Sequence, residues 1–488
     1  MTSHLESTVT AEAIASVPPV GRDRKLSSEA LTASQWGVLA LLCSLSMITY
    51  LDRVCFGVAA PSIARDLNLG SVADLKWAFT AFAIAYALFE IPTGWLGDRW
   101  GPRAMLTRIV LWWSVCTALT GLVGLQYGSW TFGGLGTLIL LRFLFGAGEA
   151  GAYPNITRAL YNWFPPQRWE FAQGLIWMSG RLMGGITPLI WALMVTGTSW
   201  TSSLVNWRGA FLVFGLVGVF WCVLFRLFFR NHPQPCDTSE EIVITMNSHV
   251  HSAVPWKLLL TNRDLVILCL AYSLLNYGWA FNITYFPSYI QQRFPASELS
   301  TLIALYAGAP LWIGAIGCLS GGYCVSWIDR RIQNRRRSRR LLGVLAMLGC
   351  AICWTAASQA DNLHVFCISV ALAAFCVDLT LGAAWASCQD IGREHTAVAA
   401  AMMNTVGTFG AALAGWLTGT LVQRSISQRA LIENIPVSSL SDTAHHQAAL
   451  QGFQFVFVTY IAIYIVAAAC WMALTVTKSE PLSGPSGV

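Results

Sequence analysis

The chain carries a dozen stretches too long and too apolar for the core of a water-soluble globule. They run over about 36–60, 77–97, 104–125, 134–160, 170–196, 208–229, 264–290, 299–327, 341–359, 363–388, 396–422 and 452–476. About twenty predominantly apolar residues in a helix cross the hydrocarbon of a bilayer. No water is available there to satisfy a bare backbone, so each stretch is predicted as a helix. Composition agrees. Of 488 residues, 55% are hydrophobic and 11% charged, against about 25% charged in a soluble domain. Lipid is therefore the expected solvent and the bilayer the first partner. The 14 cysteines fall mostly inside apolar runs, as Cys43, Cys116, Cys222, Cys269 and Cys376 do, and read as small apolar fillers. Cys350 and Cys353 make a C-x-x-C with no second pair, so no metal site is expected.

The basic residues orient the helices. With both termini in the cytoplasm, most of the 30 Lys and Arg collect on the cytoplasmic side. Arg65, Lys76, Arg208, Arg293, Arg424 and Arg429 fall outside, and Arg53, Arg142 and Arg181 remain within the membrane. That bias is the positive-inside pattern. The arginine run 330–340 reads as a topogenic loop and not as a nucleic-acid patch. Residues 1–35 are polar, with no short apolar core and cleavage site, and read as a cytoplasmic tail. The long polar interruption, with Pro233, Pro235, Pro255, Glu240 and Glu241, gives a cytoplasmic linker at 230–263. It separates six-helix halves at 36–229 and 264–476, and 477–488 forms a second cytoplasmic tail. The stretch 425–450, with His445 and His446, reads as a solvated outer loop. The expected fold is an all-α, monomeric, multi-pass protein of a bacterial inner membrane, twelve helices in two pseudo-symmetric halves around a central site.

The sharpest local signal joins the second and third helices: Gly94-Trp-Leu-Gly-Asp98-Arg99-Trp-Gly101-Pro-Arg103. Two helices turning tightly at a membrane face need Gly94 and Gly101 for close backbone approach. Asp98 is then placed to pair with a basic residue or a helix terminus of the other half, in a contact that breaks when that face opens. The corresponding turn of the second half is decayed, with Ser326 where an acid would stand and Asp329-Arg330 three residues later.

Charges inside the membrane are the second signal, since an ionisable side chain at a helix centre costs roughly 2.5–3.5 kcal/mol. The first helix carries Asp52 and Arg53, and the fourth carries Arg142 and Glu149. Seven residues advance about 700°, so Arg142 and Glu149 share a face, while Asp52 and Arg53 point about 100° apart. Gly146 and Gly148 thin the fourth helix. Glu90, Arg181 and Asp378 are further buried charges without an assigned role. Low dielectric favours a protonated acid and a neighbouring guanidinium favours the carboxylate. That competition lets an arriving anion switch protonation. In the second half, Asn276, Tyr277, Trp279, Asn282 and Tyr285 on helix seven, Trp385 and Ser387 on helix ten and Asn404 on helix eleven offer a polar cage. A buried amide without a partner is costly in a membrane.

These motifs carry a family resemblance over about 36–476. The 94–103 turn is similar to the loop pattern of the major facilitator superfamily. Tyr50-Leu-Asp52-Arg53, Ala85-Tyr86-Ala-Leu-Phe-Glu90-Ile-Pro92, Arg142-Phe-Leu-Phe-Gly146-Ala-Gly148-Glu149, Tyr153-Pro154-Asn155, Asn206-Trp207-Arg208 and Met403-Asn404 resemble its anion:cation symporter family. Thr408 replaces a frequent second asparagine, and Gln167-Arg168-Trp169 departs from a common Glu-Arg-Gly.

The resemblance implies a proton-coupled symporter of an organic anion, a sugar acid of the hexuronate, galactonate or glucarate type. Asp52 and Glu149 would carry protons, and Arg53, Arg142 and Tyr86 would hold the carboxylate. Asn276, Trp385 and Asn404 would surround the body, with Gly94, Asp98, Arg99, Gly101 and Arg103 at the gate. A phthalate-like aromatic or simple monocarboxylate is the alternative cargo, and a membrane sensor that binds without moving its ligand is the alternative role. Nothing in the chain resembles a nucleophile–base set, a metal cluster or a phosphate loop, so no enzyme and no cofactor is expected.

Overall fold

The computed structural model describes residues 31–69, 72–127, 130–197, 202–233, 254–294 and 300–475. All of the expected C-terminal tail and most of the N-terminal tail and linker lie outside the described residues, and α1 begins inside the expected tail, at Ala33. The first half consists of α1 (Ala33–Asp66), α2 (Lys76–Trp100), α3 (Pro102–Thr120), α4 (Leu135–Glu149), α5 (Ala152–Trp163), α6 (Trp169–Trp191) and α7 (Trp207–Phe228). A two-residue ribbon, β1 (Gln126–Tyr127) against β2 (Trp130–Thr131), closes the turn before α4. After the short α8 (Trp256–Thr261), the second half runs α9 (Arg263–Thr284), α10 (Phe286–Arg293), α11 (Ser300–Ile332), α12 (Arg335–Ser358), α13 (Leu363–Asp378), α14 (Leu381–Gly392), α15 (Thr396–Glu433) and α16 (Asp442–Ala473). Pairing α4 with α5, α9 with α10 and α13 with α14 gives twelve crossings, six in each half. This is the fold class expected from the apolar spans.

Three of those crossings are broken where continuous helices were expected. The fourth breaks just after Glu149, at Gly151, whose φ of +83° suits glycine alone. Pro154 follows in the first turn of α5, where a missing N–H costs nothing. The tenth breaks just after Asp378. The outer loop expected over 425–450 is also shorter. α15 continues to Glu433, helped by an Arg429–Glu433 pair one turn apart, and Asn434 ends it in the left-handed conformation at φ +56°. Ser441 caps α16 by accepting from the Ala444 N–H. These caps leave residues 434–441 as the connection between α15 and α16.

Within the second half, α9, α10, α12, α13 and α16 enclose a packed aromatic cluster of Phe281, Phe286, Tyr289, Trp354, Phe366 and Phe457. Tyr277 and Tyr285, expected in a polar cage, join this cluster. Tyr277 packs edge-on to Tyr460, and the Tyr285 hydroxyl donates to the Gly415 carbonyl at 2.9 Å.

The halves meet along two seams. α6 packs on α11, where Gly322 lets the Glu170–Phe171 backbone approach. α2 packs on α15, where a Cβ on Gly94 would sit 2.8 Å from the Ala397 carbonyl oxygen and 2.8 Å from the Ala401 Cβ. Without a hydrophobic drive between helices in lipid, such small-residue contacts are what allow association.

Gly94 therefore offers a test of this seam. In a helix interior Gly→Ala ordinarily stabilises by about 1 kcal/mol, and Gly37, with nothing within 4 Å of its Cβ position, is expected to follow that rule. Gly94→Ala is expected to destabilise instead, by about 1–3 kcal/mol through overpacking. Thermal unfolding of the purified protein reads the difference. Equal midpoints for the two variants would mean that α2 and α15 do not meet there.

Candidate functional site

The breaks gather the buried charges around the middle of the molecule. On α1, Arg53 is half-buried and its Nε donates to Glu149 Oε1 at 2.5 Å, where α4 ends. Its guanidinium lies over the Tyr86 ring, 4.8 Å from the centroid. Arg142, on the same helix as Glu149, does not pair with it. It is caged by the rings of Phe56, Phe145 and Phe82 at 4.2, 4.6 and 4.8 Å. Rings presenting their faces to a cation stabilise it where water is excluded. Asp52 is 2% exposed, and neither carboxyl oxygen has a hydrogen-bond partner. Arg53 Nη2, Arg142 Nε and Glu149 Oε2 are likewise buried without one. Native proteins rarely leave so many polar atoms unsatisfied in one place.

The second half reaches this set through Asn404 on α15. Its amide donates to Glu90 Oε1 at 2.5 Å and to the Tyr86 hydroxyl at 3.4 Å, while the Thr405 hydroxyl donates to Glu90 Oε2 at 3.3 Å. Glu90 thus joins α2 to α15 across the halves. Asn276 is half-buried and spends one N–H on the Tyr272 carbonyl, 2.8 Å away. Trp385 is fully buried. Its indole donates to the Tyr272 hydroxyl at 3.2 Å, and its ring packs on Tyr153 and Trp177 of the first half. The structure therefore brings Arg53, Glu149, Tyr86 and Asn404 together, with Asp52 and Arg142 behind them, and sets Trp385 in an inter-half aromatic stack. Arg181 and Asp378 form a cross-half ion pair at 3.1 Å, which the Tyr50 hydroxyl connects to α1.

On the face of the 94–103 turn, Asp98 accepts from the backbone N–H groups of Ala397 and Val398 at 3.1 and 2.9 Å. These belong to the first turn of α15, where a helix dipole favours an anion. Arg158 of α5 stands 3.7 Å from Asp98 and donates to the Arg393 and Glu394 carbonyls of the other half at 3.1 and 2.5 Å. The expectation that Asp98 meets a helix terminus of the other half fits this geometry. Gly94 also crosses to α15, whereas Gly101, Arg103 and Arg99 make their contacts on the first-half side. Gly101 turns at φ +81°, and the Arg103 N–H donates to Asn231 Oδ1 at 2.9 Å. Arg99 lies over the Trp95 ring at 5.6 Å.

A second closure was not legible as such. Glu170, in the first turn of α6, accepts from Arg335 Nε and Nη2 at 2.9 and 3.1 Å and from Arg339 Nε at 2.8 Å. Arg339 also donates to Asp390 at 2.5 Å. Two members of the arginine run therefore tie the halves together. Their spacing of four residues, which puts both on one helix face, was the available signal.

The comparisons with known proteins agree with this architecture. The Major Facilitator Superfamily model matches residues 42–415. The chain is 31% identical over 403 residues to the probable sulfoacetate transporter of Cupriavidus necator, covering 80% of this chain and 87% of that one. It is 27% identical to the hexuronate transporter of Bacillus subtilis, over 78% of this chain and 88% of the relative. The solved proton:xylose symporter bound to 6-bromo-6-deoxy-D-glucose shares the fold at a TM-score of 0.70, with 12% identity over 91% of this chain and 96% of that one. With these matches and its twelve crossings, the chain belongs to the Major Facilitator Superfamily.

Proposed function

We propose that the chain is a secondary active transporter that moves a small organic anion together with protons. The Arg53–Glu149 pair carries this reading. A guanidinium meets a carboxylate with two parallel hydrogen bonds, and Arg53 Nη2 is still unpartnered beside its contact to Glu149. An arriving carboxylate or sulfonate replaces Glu149 on Arg53, and the released Glu149 takes up a proton. Asp52 supports a proton role as well. An isolated carboxylate buried in low dielectric is far more costly than the neutral acid. Arg142, held in its aromatic cage, supplies positive potential behind the exchange.

Relatives named for sulfoacetate, hexuronate, L-galactonate and galactarate or D-glucarate transport support an acidic, polar cargo and a role other than catalysis. The second-half surface supports the same class over an aromatic acid. Trp385 is buried, whereas Asn276, Asn404 and Thr408 are half-buried. The Asp98 and Glu170 networks act as the gate on the turn face, which the positive-inside pattern assigns to the cytoplasm. Uptake of a labelled panel of hexuronates, aldonates and sulfoacetate into vesicles tests the proposal. The expected result is accumulation that depends on an imposed pH gradient. No uptake of any member, or uptake indifferent to the gradient, would contradict it.

Three substitutions separate the roles. Arg142→Lys is expected to reduce cargo affinity at least tenfold despite keeping the charge, because an ammonium does not fill the planar slot between Phe56, Phe82 and Phe145. Near-normal affinity in a binding titration would make Arg142 purely structural. Asp98→Asn loses the anion at the α15 N-terminus and is expected to slow turnover several-fold with binding retained. Turnover unchanged with binding lost would reverse the assignment. Glu149→Gln stays neutral and keeps its shape, so it mimics the protonated acid. It is expected to exchange cargo across the membrane but not to accumulate it against a gradient, because proton and anion no longer favour each other's binding. Gradient-driven accumulation at the normal level would sink the role of Glu149.

A further inference from the structure

The Arg181–Asp378 pair repeats the chemistry of Arg53–Glu149 at a second point of the same central region. Arg181 projects from α6 of the first half, and Asp378 ends α13 of the second. Nε donates to Oδ2 and Nη2 to Oδ1, each at 3.1 Å, the parallel arrangement that an external carboxylate would adopt. Nη1 donates to the Tyr50 hydroxyl at 3.0 Å, and the guanidinium lies 3.8 Å from the centre of the Trp279 ring. Only 5% of the Arg181 side chain and none of Asp378 is exposed.

Tyr50 links the two arginines. It precedes Arg53 by three residues on α1, so both side chains leave the helix on one face, with Cβ atoms about 5–6 Å apart. From that face the Tyr50 hydroxyl reaches Arg181, so Tyr50 connects the α1 face that carries Arg53 to the second arginine. A static purpose accounts poorly for the second pair. Buried ion pairs are often no more stabilising than an apolar replacement of similar volume. This one also joins two halves whose relative motion transport requires.

Building on the exchange reading of Arg53 and Glu149, we propose that the cargo is a short dianion whose second acidic group is received by Arg181 in place of Asp378. Each acidic group forms hydrogen bonds to one arginine and releases one carboxylate. Each released carboxylate takes one proton from the water of the open side. Two negative charges and two protons enter together, so the site has the same net charge loaded and empty. The groups facing Asp378 are Arg181 and Tyr50 from the first half and the Cys318 thiol of α11, with Cys350 and Tyr464 further out. None of them offers a second positive charge, so a displaced Asp378 is neutralised by a proton.

Two matched pairs of probes test the proposal on the purified protein in proteoliposomes. Galactonate and galactarate differ by one terminal hydroxymethyl or carboxylate, and 2-hydroxyethanesulfonate and sulfoacetate differ in the same way. The dianion of at least one pair is expected to bind at least tenfold more tightly than its monoanion and to enter with two protons. Arg181→Gln combined with Asp378→Asn, which neutralises the pair while keeping a polar group at both positions, is expected to bring that ratio to about one. Monoanions bound as tightly as their dianions in both pairs overturn the proposal, as does one proton per dianion or a ratio that survives in the double variant. The measurements on the unaltered protein decide the matter even if the double variant fails to fold. Monoanion binding that Arg53→Lys abolishes, without any dianion preference, leaves the parent reading standing and overturns only the second subsite. Binding of none of the four probes overturns both.

Discussion

A charge in hydrocarbon is tolerated only where something nearby replaces its water, and the centre of this protein is arranged around that constraint. Backbone groups meet it by forming helices. The side chains meet it by three devices. Arg53 and Arg181 are paired with carboxylates at 2.5 and 3.1 Å. Arg142 is sheathed by aromatic faces. Glu90 is held by an amide and a hydroxyl from the other half. Asp52 has none of these, and a neutral acid is the form that such surroundings tolerate. Breaks in the fourth and tenth helices fall next to Glu149 and Asp378. Irregular backbone is tolerated at membrane depth where it is buried in protein or lines a cavity.

The two closures of the turn face show how a duplicated plan is kept while its chemistry is exchanged. In one, an acid of the first half, Asp98, is held by the first turn of α15 and by Arg158. In the other, an acid in the first turn of α6, Glu170, is held by arginines of the second half. Both unite a carboxylate with the opposite half, but the partner is a helix dipole in one case and a pair of guanidinia in the other. The decay of the second turn motif at Ser326 is therefore not a loss of closure. The acid of this seam stands on the facing helix, at Glu170, with Arg335 and Arg339 as its partners.

That exchange explains which features were legible in sequence. Twelve spans follow from apolar length, because lipid imposes a single criterion on every residue of a crossing. The 94–103 turn follows from local geometry, since Gly94, Asp98 and Gly101 are needed for one tight corner. The pairing of Arg53 with Glu149, and not of Arg142 with Glu149, was not legible. Helical spacing reports which side chains share a face of their own helix but not which neighbouring helix that face meets. The same limit hid Glu170 among first-turn residues and left the stacking of Trp385 on Tyr153 and Trp177 unforeseen. Breaks at Gly151 and after Asp378 turn residues away from an ideal helix, which periodicity does not anticipate.

On the exchange reading proposed above, pairing within the empty site is also what couples cargo to protons. A carrier must return empty as well as cross loaded, and either passage is hindered when an uncompensated charge is carried through low dielectric. With Arg53 on Glu149 the empty site has that arginine neutralised. With cargo on Arg53 and a proton on Glu149 the loaded site does too. Cargo without the proton leaves two anions competing for one guanidinium, and a proton without cargo leaves the guanidinium unmatched. Both half-loaded states carry the cost that the pair removes from the other two. Coupling in this picture needs no signal between distant sites. It follows from one arginine that two carboxylates cannot both occupy, in surroundings that do not tolerate the loser as an ion.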